Sequence, residues 1–229
     1  MELEQAKNRL EELRPANPAL EGASVIDVSL GAVMSRYRVE GPVCHVGSKL
    51  QHAPEGAGRG ASFRRLFSGL RDNGFTGLDI EPGENVDVLA DICDSNFEET
   101  HPELCQRFGF ALVLALLEHV PDPFRAALNI TSLLRSGGYL FYSGPWAWDY
   151  HMYPDDYWRF HFPALRVMFK NIDWKDWWFT GTNQGVGLKL ADPTREGKVL
   201  RVPVKGSVGE ILSDIGMPYL LIGAIGEKR

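Results

Sequence analysis

The sequence is short of the features that mark a disulfide-stapled, membrane-spanning or nucleic-acid-coating protein. Its 229 residues hold three cysteines, Cys44, Cys93 and Cys105, an odd number with no Cys-x-x-Cys pair and no four-ligand Cys/His spacing. That excludes a disulfide framework and a structural zinc site. Cys44 falls in an apolar run and reads as core. Positive charge is also lacking: 24 Lys and Arg stand against 30 Asp and Glu, for a net charge of -6. Sequence-independent binding of a phosphate backbone needs a basic face, so no nucleic-acid partner is expected and a small-molecule ligand fits better. The pair Arg64-Arg65 reads either as a solvated helix face or as a seat for a single phosphate or carboxylate. No long hydrophobic run accompanies the acidic start Met1-Glu2-Leu3-Glu4, and the apolar stretch 110–117 is far below the ~20 residues that span a bilayer. The expectation is a cytoplasmic, reduced protein with no membrane partner. There is no internal repeat.

What is present is an ordinary globular composition, 44% hydrophobic and 24% charged, in a chain long enough for one α/β domain with additions. Leu3, Ala6, Leu10 and Leu13 recur at helical spacing up to Pro15, and residues 25–37 form a second helical pattern. Residues 1–40 are therefore expected as a helical extension, either covering a site or partner or packing on the sheet, ahead of a main domain over 41–229. In that domain, short apolar runs at 42–46, 75–80, 86–89, 110–114 and 139–143 read as buried strands. Helical patterns at 62–70, 96–107 and 123–134 separate them, and 173–180 and 219–225 are later strands. Gly137 is expected to close the helix that precedes the fifth strand. Alternating strands and helices predict a doubly wound, mostly parallel Rossmann-like sheet, with its ligand crevice beyond the carboxyl ends of the strands.

A nucleoside cofactor in such a sheet needs a glycine after the first strand and an acid at the end of the second. Gly47 and Asp79 hold those places. Gly56, Gly58 and Gly60 superficially match a dinucleotide fingerprint, but they start well downstream of Val46, where that motif must leave the strand directly.

The joint order Val46-Gly47-Ser48, Ser62-Phe63-Arg64 with Leu66-Phe67, Asp79-Ile80, Pro82-Gly83 with Asn85-Val86-Asp87, Ala90-Asp91, Leu117-Glu118-His119-Val120 and Leu134-Arg135-Ser136-Gly137-Gly138 resembles class I S-adenosylmethionine-dependent methyltransferases. It is most similar to the type 11-like subgroup with a Val-Gly-Ser start, over roughly residues 42–170. The resemblance implies S-adenosyl-L-methionine as cofactor, with Gly47 and Ser48 on its methionine side, Asp79 at the ribose and Asp91 by the adenine amine. Leu114, Ala115 and Leu116 would line the sulfonium side, and Arg64, Ile80 and Ile92 complete the implied cofactor set. The chain departs from the family at His45 and Gly109, where acids are usual, and in the long loop leading to Ser62.

Methyl transfer needs chiefly an in-line nucleophile at close approach, and a base only when the acceptor carries a proton. Two places after strands four and five supply candidates. His119 follows the fourth, and a stretch dense in aromatic and polar side chains follows the fifth, from Trp146 to Phe160. The resemblance extends to His151, Pro154, Asp156, Tyr157, Trp158 and Arg159, which would face the acceptor. His151 reads as base or positioning group, His119 as a pocket residue or a helix-start hydrogen-bonding group. Asp156 and Arg159 are either an internal ion pair or acceptor contacts, and Tyr157 and Trp158 are either acceptor contacts or packing. Trp174, Trp177 and Trp178 belong to core or an interface. Some ubiquinone-type O-methyltransferases carry a Glu-x-x-Glu-His metal site at the position of Ala115 to His119; the first ligand is missing here, so no catalytic metal is expected.

The resulting expectation is O- or N-methylation of a small molecule or glycan precursor, with homo-oligomerisation left open. Two other readings stay beside it: a catalytically silent binding protein that kept the fold, motivated by His45, Gly109 and the altered loop, and an enzyme doing chemistry other than methyl transfer on S-adenosylmethionine.

Overall fold

The computed structural model describes Leu30 and residues 33–34, 36–49, 74–148, 150–151, 154–181, 187–188 and 220–229. The helix expected over residues 3–13, the glycine-rich run 56–60, and the helix expected over 62–70 with Arg64 lie outside the described residues.

Eight strands form one sheet: β1 (Val43–Val46), β2 (Phe75–Asp79), β3 (Val88–Leu89), β4 (Phe108–Leu114), β5 (Leu134–Ala147), β6 (Ile172–Gly181), β7 (Gly187–Leu188) and β8 (Leu220–Lys228). The described helices are α1 (Phe97–Thr100), α2 (Pro123–Leu133) and α3 (Phe162–Met168). Strand order is β3-β2-β1-β4-β5-β8-β6-β7. The first five strands run parallel, and β8 inserts antiparallel between β5 and β6. The order reverses between β1 and β4, so the crevice for a ligand opens beyond Val46 and Leu114.

Parallel strands covered on both faces read as continuous apolar runs, and β1 is buried throughout while β4 is buried from Phe108 to Val113. Their alternation sorts the core into two layers. Cys44, Val46, Ala111, Val113, Leu140 and Tyr142 meet Phe97 of α1, the apolar stripe of α2 and Phe162 of α3. Val43, Phe110, Leu112, Phe141 and Ile225 meet Leu30 and Val33, which lie against the sheet's other face. Trp177 stacks on Phe162 at 4.6 Å, and Trp174 meets Phe162 and Phe169 edge-on, so both rings belong to the core.

Three expectations shift. The helix expected over 96–107 stops at Thr100 and resumes only as the 3₁₀ turn Pro102–Leu104. Proline at 102 offers no N–H and drives His101 out of the helical region, to φ -131° and ψ 50°. Gly137 does take a positive φ of 75°, but it lies within β5 rather than at a helix end. Helix α2 ends at Leu133, and the pairing jumps from Phe108↔Leu134 to Phe110↔Tyr139 around it. Strand β3 keeps only Val88 and Leu89 of the expected 86–89.

Gly109 has a steric cause. A Cβ there would stand 2.3 Å from the Glu40 carbonyl oxygen, so the chain entering β1 leaves no room for a side chain at this position. Among the described residues no helix is long and apolar enough to cross a membrane.

Candidate functional site

A cavity of about 650 Å³ opens at the switch point. Its walls come from the ends of β1 (Val46, Gly47, Lys49) and β2 (Leu78, Asp79, Ile80, Glu81), the loop after β3 (Ala90 to Cys93), and the loop after β4 (Ala115, Leu116, His119 to Pro121). Pro154 and Tyr157, from the segment after β5, close one side.

Gly47 sits at φ +74° with its N–H donated to the Leu78 carbonyl at 2.9 Å. A Cβ at that position would lie 2.9 Å from Leu116 Cδ1, so glycine keeps backbone accessible beside the cavity. Across from it, Ala115 also holds a positive φ, 46°, tied by its N–H to the Ser143 carbonyl.

Asp79 accepts from the Lys49 N–H at 2.9 Å and the Glu81 N–H at 3.2 Å. A carboxylate has about four acceptor sites, so two such bonds orient it and leave capacity toward the cavity it lines. Asp91 accepts from the Cys93 N–H at 2.8 Å through one oxygen. The loop carrying it is held from behind by Asn129 of α2, whose amide donates to the Ile92 and Asp94 carbonyls, both at 2.8 Å.

The end of the cavity at His119 is polar. His119 lines the cavity, and its Nδ1 lies 2.7 Å from the Asp155 carbonyl. A carbonyl only accepts, so Nδ1 carries the proton and Nε2 is left as the acceptor nitrogen. Burial lowers the His119 pKa, which favours the neutral ring. Nε2 is 3.9 Å from Glu118 Oε1. Glu118 is 1% exposed, neither of its carboxylate oxygens has a hydrogen-bond partner among the described residues, and burial pushes its pKa up to about 8.

Behind His119 stands His151, ring centroids 4.9 Å apart. Asp156 fixes it twice, accepting from the His151 N–H at 2.9 Å and lying 3.3 Å from its Nδ1. Asp156 is in turn gripped by both terminal nitrogens of Arg159, a bond that holds its carboxyl down to about 2. The whole segment is pinned to the loop after β4: the Tyr157 N–H donates to the Glu118 carbonyl at 2.7 Å, and Trp158 Nε1 donates to the Val120 carbonyl at 2.9 Å.

Of the residues singled out from sequence, Gly47, Asp79, Ile80, Asp91, Ile92, Ala115, Leu116, His119 and Tyr157 line the cavity. His151, Asp156 and Arg159 form the layer behind it. Two do not fit the expected lining. Ser48 turns its hydroxyl to the Asn85 carbonyl at 2.9 Å, and Asn85 answers with its amide on the Ser48 carbonyl. Leu114, at the end of β4, alternates to the opposite face and packs with the Leu30 layer. Glu118, Lys49 and Asn129 join the site only in the structure. The signal for Glu118 was a lone acid between Leu116-Leu117 and His119-Val120; for Asn129 it was one amide on the buried stripe of α2. Glu118, His119 and His151 also converge as ligand atoms within 4.8 Å of one another, although the sequence pointed to no metal set.

No protein-family model matches this chain, and no curated protein does. Solved structures do. A S-adenosylmethionine-dependent methyltransferase from Archaeoglobus fulgidus superposes with TM-score 0.53 at 14% identity, covering 90% of this chain and 95% of its own. The cyclase SpnF superposes with TM-score 0.51 at 13% identity, covering 88% of this chain and 81% of its own. At these identities the likeness establishes the fold.

Proposed function

We propose that this chain, which has the class I methyltransferase fold, is a S-adenosylmethionine-dependent methyltransferase that modifies a hydroxyl or amine of a small molecule or glycan precursor. The observation that carries the reading is the single cavity wall formed by Gly47, Asp79, Asp91 and His119 at the switch point of the sheet. Fold alone does not carry it, because one of the structures sharing this fold is named a cyclase.

The residues fit the cofactor. Gly47 leaves a cradle that any side chain would fill, Asp79 and Asp91 keep acceptor capacity for ribose hydroxyls and an adenine amine, and Val46, Leu78, Ile92 and Leu116 supply apolar wall. When bound, S-adenosylmethionine supplies an electrophilic methyl group. The chain's own contribution is to orient and exclude water, since positioning of two reactants accounts for up to ~7–11 kcal/mol of a barrier in favourable cases. Tyr157 and Pro154 narrow the opening on the acceptor side. The polar end built from Glu118, His119 and His151 receives the proton-bearing group of the acceptor, and Asp156 with Arg159 keeps His151 in place. Three free thiols fit a reduced, cytoplasmic setting.

Titration calorimetry with S-adenosylmethionine and S-adenosylhomocysteine tests the reading. One-site binding of both, followed by S-adenosylhomocysteine formation with an acceptor, is the expected result; absence of binding to either would sink it.

A further inference from the structure

Glu118 is a buried acid at the polar end of the cavity. Both oxygens lack a hydrogen-bond partner among the described residues, at 1% exposure. An unpaired carboxylate in that position costs several kcal/mol, and buried polar groups without partners call for a specific cause. Two imidazoles converge on it. His119 Nε2 stands 3.9 Å from Glu118 Oε1, and one ligand atom from each of Glu118, His119 and His151 falls within 4.8 Å of the others. We infer that these three side chains form a binding site for one divalent first-row transition ion.

The surroundings of both histidines support this. A metal-binding imidazole commonly has its second nitrogen held by a carbonyl or carboxylate, which sets the tautomer and aims the ligating lone pair. His119 Nδ1 is held by the Asp155 carbonyl at 2.7 Å, and His151 Nδ1 stands 3.3 Å from the Asp156 carboxylate. Asp156 is itself anchored by Arg159. Two nitrogens and one carboxylate oxygen suit zinc and its neighbours, and such a three-ligand set leaves a position open. Ligand atoms around a tetrahedral zinc are roughly 3.3 Å apart, given bonds of about 2.0–2.1 Å. The Glu118 to His119 separation is close to that, and His151, the most exposed of the three at 38%, has room to adjust. Because His119 also lines the cavity, the open position would face the acceptor end, where the ion would draw in an acceptor oxygen or nitrogen. That use of the ion rests on the methyltransferase reading; ion binding itself does not.

The test uses the purified full chain stripped with a chelator, titrated with zinc in a calorimeter and with cobalt followed by visible absorption. The expected result is one equivalent bound, with affinity falling at least about tenfold in Glu118→Gln and in His151→Ala. Near-ultraviolet circular dichroism confirms that these variants are folded; Glu118→Gln is nearly isosteric and His151 is partly exposed. His101→Ala, at a half-buried histidine that lies outside the trio, packs on Phe97 and faces Glu103 at 3.7 Å, should bind as the parent does. No stoichiometric binding, or binding that survives both ligand substitutions, or an equal loss in His101→Ala, would overturn the site. S-adenosylhomocysteine binding by the metal-free chain is read separately, so failure of the ion site and failure of the functional reading are distinguishable.

Discussion

His119 and His151 meet edge to face, with ring centroids 4.9 Å apart and planes at 89°. One comes from the turn after β4 and the other from the segment after β5, and each is steered by a different acid-bearing neighbour: the Asp155 carbonyl for His119 and the Asp156 carboxylate for His151. The pair places two imidazoles at one end of the cavity, beside the buried Glu118.

Asp156→Asn should therefore injure more than one contact. It removes the charge that Arg159 grips and that orients His151; breaking a fully buried pair costs about 3–5 kcal/mol, and the partial exposure of Arg159 puts the loss here below that range. Chemical denaturation should show that loss, and turnover should fall further than stability explains. Because Arg159 depresses the Asp156 pKa to about 2, the pair's contribution is fully present above the ordinary carboxylate range and is lost only as pH falls toward 2.

Gly47→Ala is expected to strain the backbone at φ +74° by about 1–2 kcal/mol and to push on Leu116, which shares the cavity wall. Melting temperature should fall by a few degrees, while calorimetry should show S-adenosylhomocysteine binding weakened by about tenfold or more.

Asp79→Asn keeps size and loses charge. Hydrogen bonds to a charged partner are worth about 1.5–3 kcal/mol, so the affinity for S-adenosylhomocysteine should drop by roughly 10- to 100-fold, with a fall of a few degrees in melting temperature because the amide nitrogen cannot accept one of the two backbone N–H bonds. An unchanged affinity would remove Asp79 from the ribose role.

Much of this was legible in the chain, for physical reasons that differ by element. Continuous apolar runs at β1 and β4 announce strands buried on both faces, and Asp122 followed by Pro123 announces α2, where the Asp122 side chain accepts from the Arg125 N–H at 2.9 Å. Asp79 and Asp91 could be placed because strand ends of a parallel sheet share one edge. The break at Pro102 was a local signal outweighed by helical periodicity. Glu118 could not be placed, since a glutamate is rarely fully buried and its residue type argues for solvent. Nor could the His119 to His151 contact, which depends on the path of the chain after β5 and on the Tyr157 to Glu118 backbone bond that draws it in.

His45 makes stability depend on pH. His45 is 6% exposed and packs near the Phe75 ring, and burial lowers its pKa from 6.5 to about 4. The unfolded chain takes up a proton that the folded chain refuses between those values. Its contribution is therefore fully present above pH 6.5 and is lost as pH falls toward 4, by up to about 3 kcal/mol. Denaturation curves of the parent and His45→Leu across that window should converge in slope above pH 6.5 and diverge below it, the variant losing less.

The most direct test of the central claim is a crystal structure of the chain with S-adenosylhomocysteine. The account predicts the ligand in the cavity beyond β1 and β4, its ribose on Asp79, its adenine beside Asp91, and its sulfur directed toward the end occupied by His119. Ligand bound elsewhere, or a sulfur turned away from His119 and His151, would contradict it.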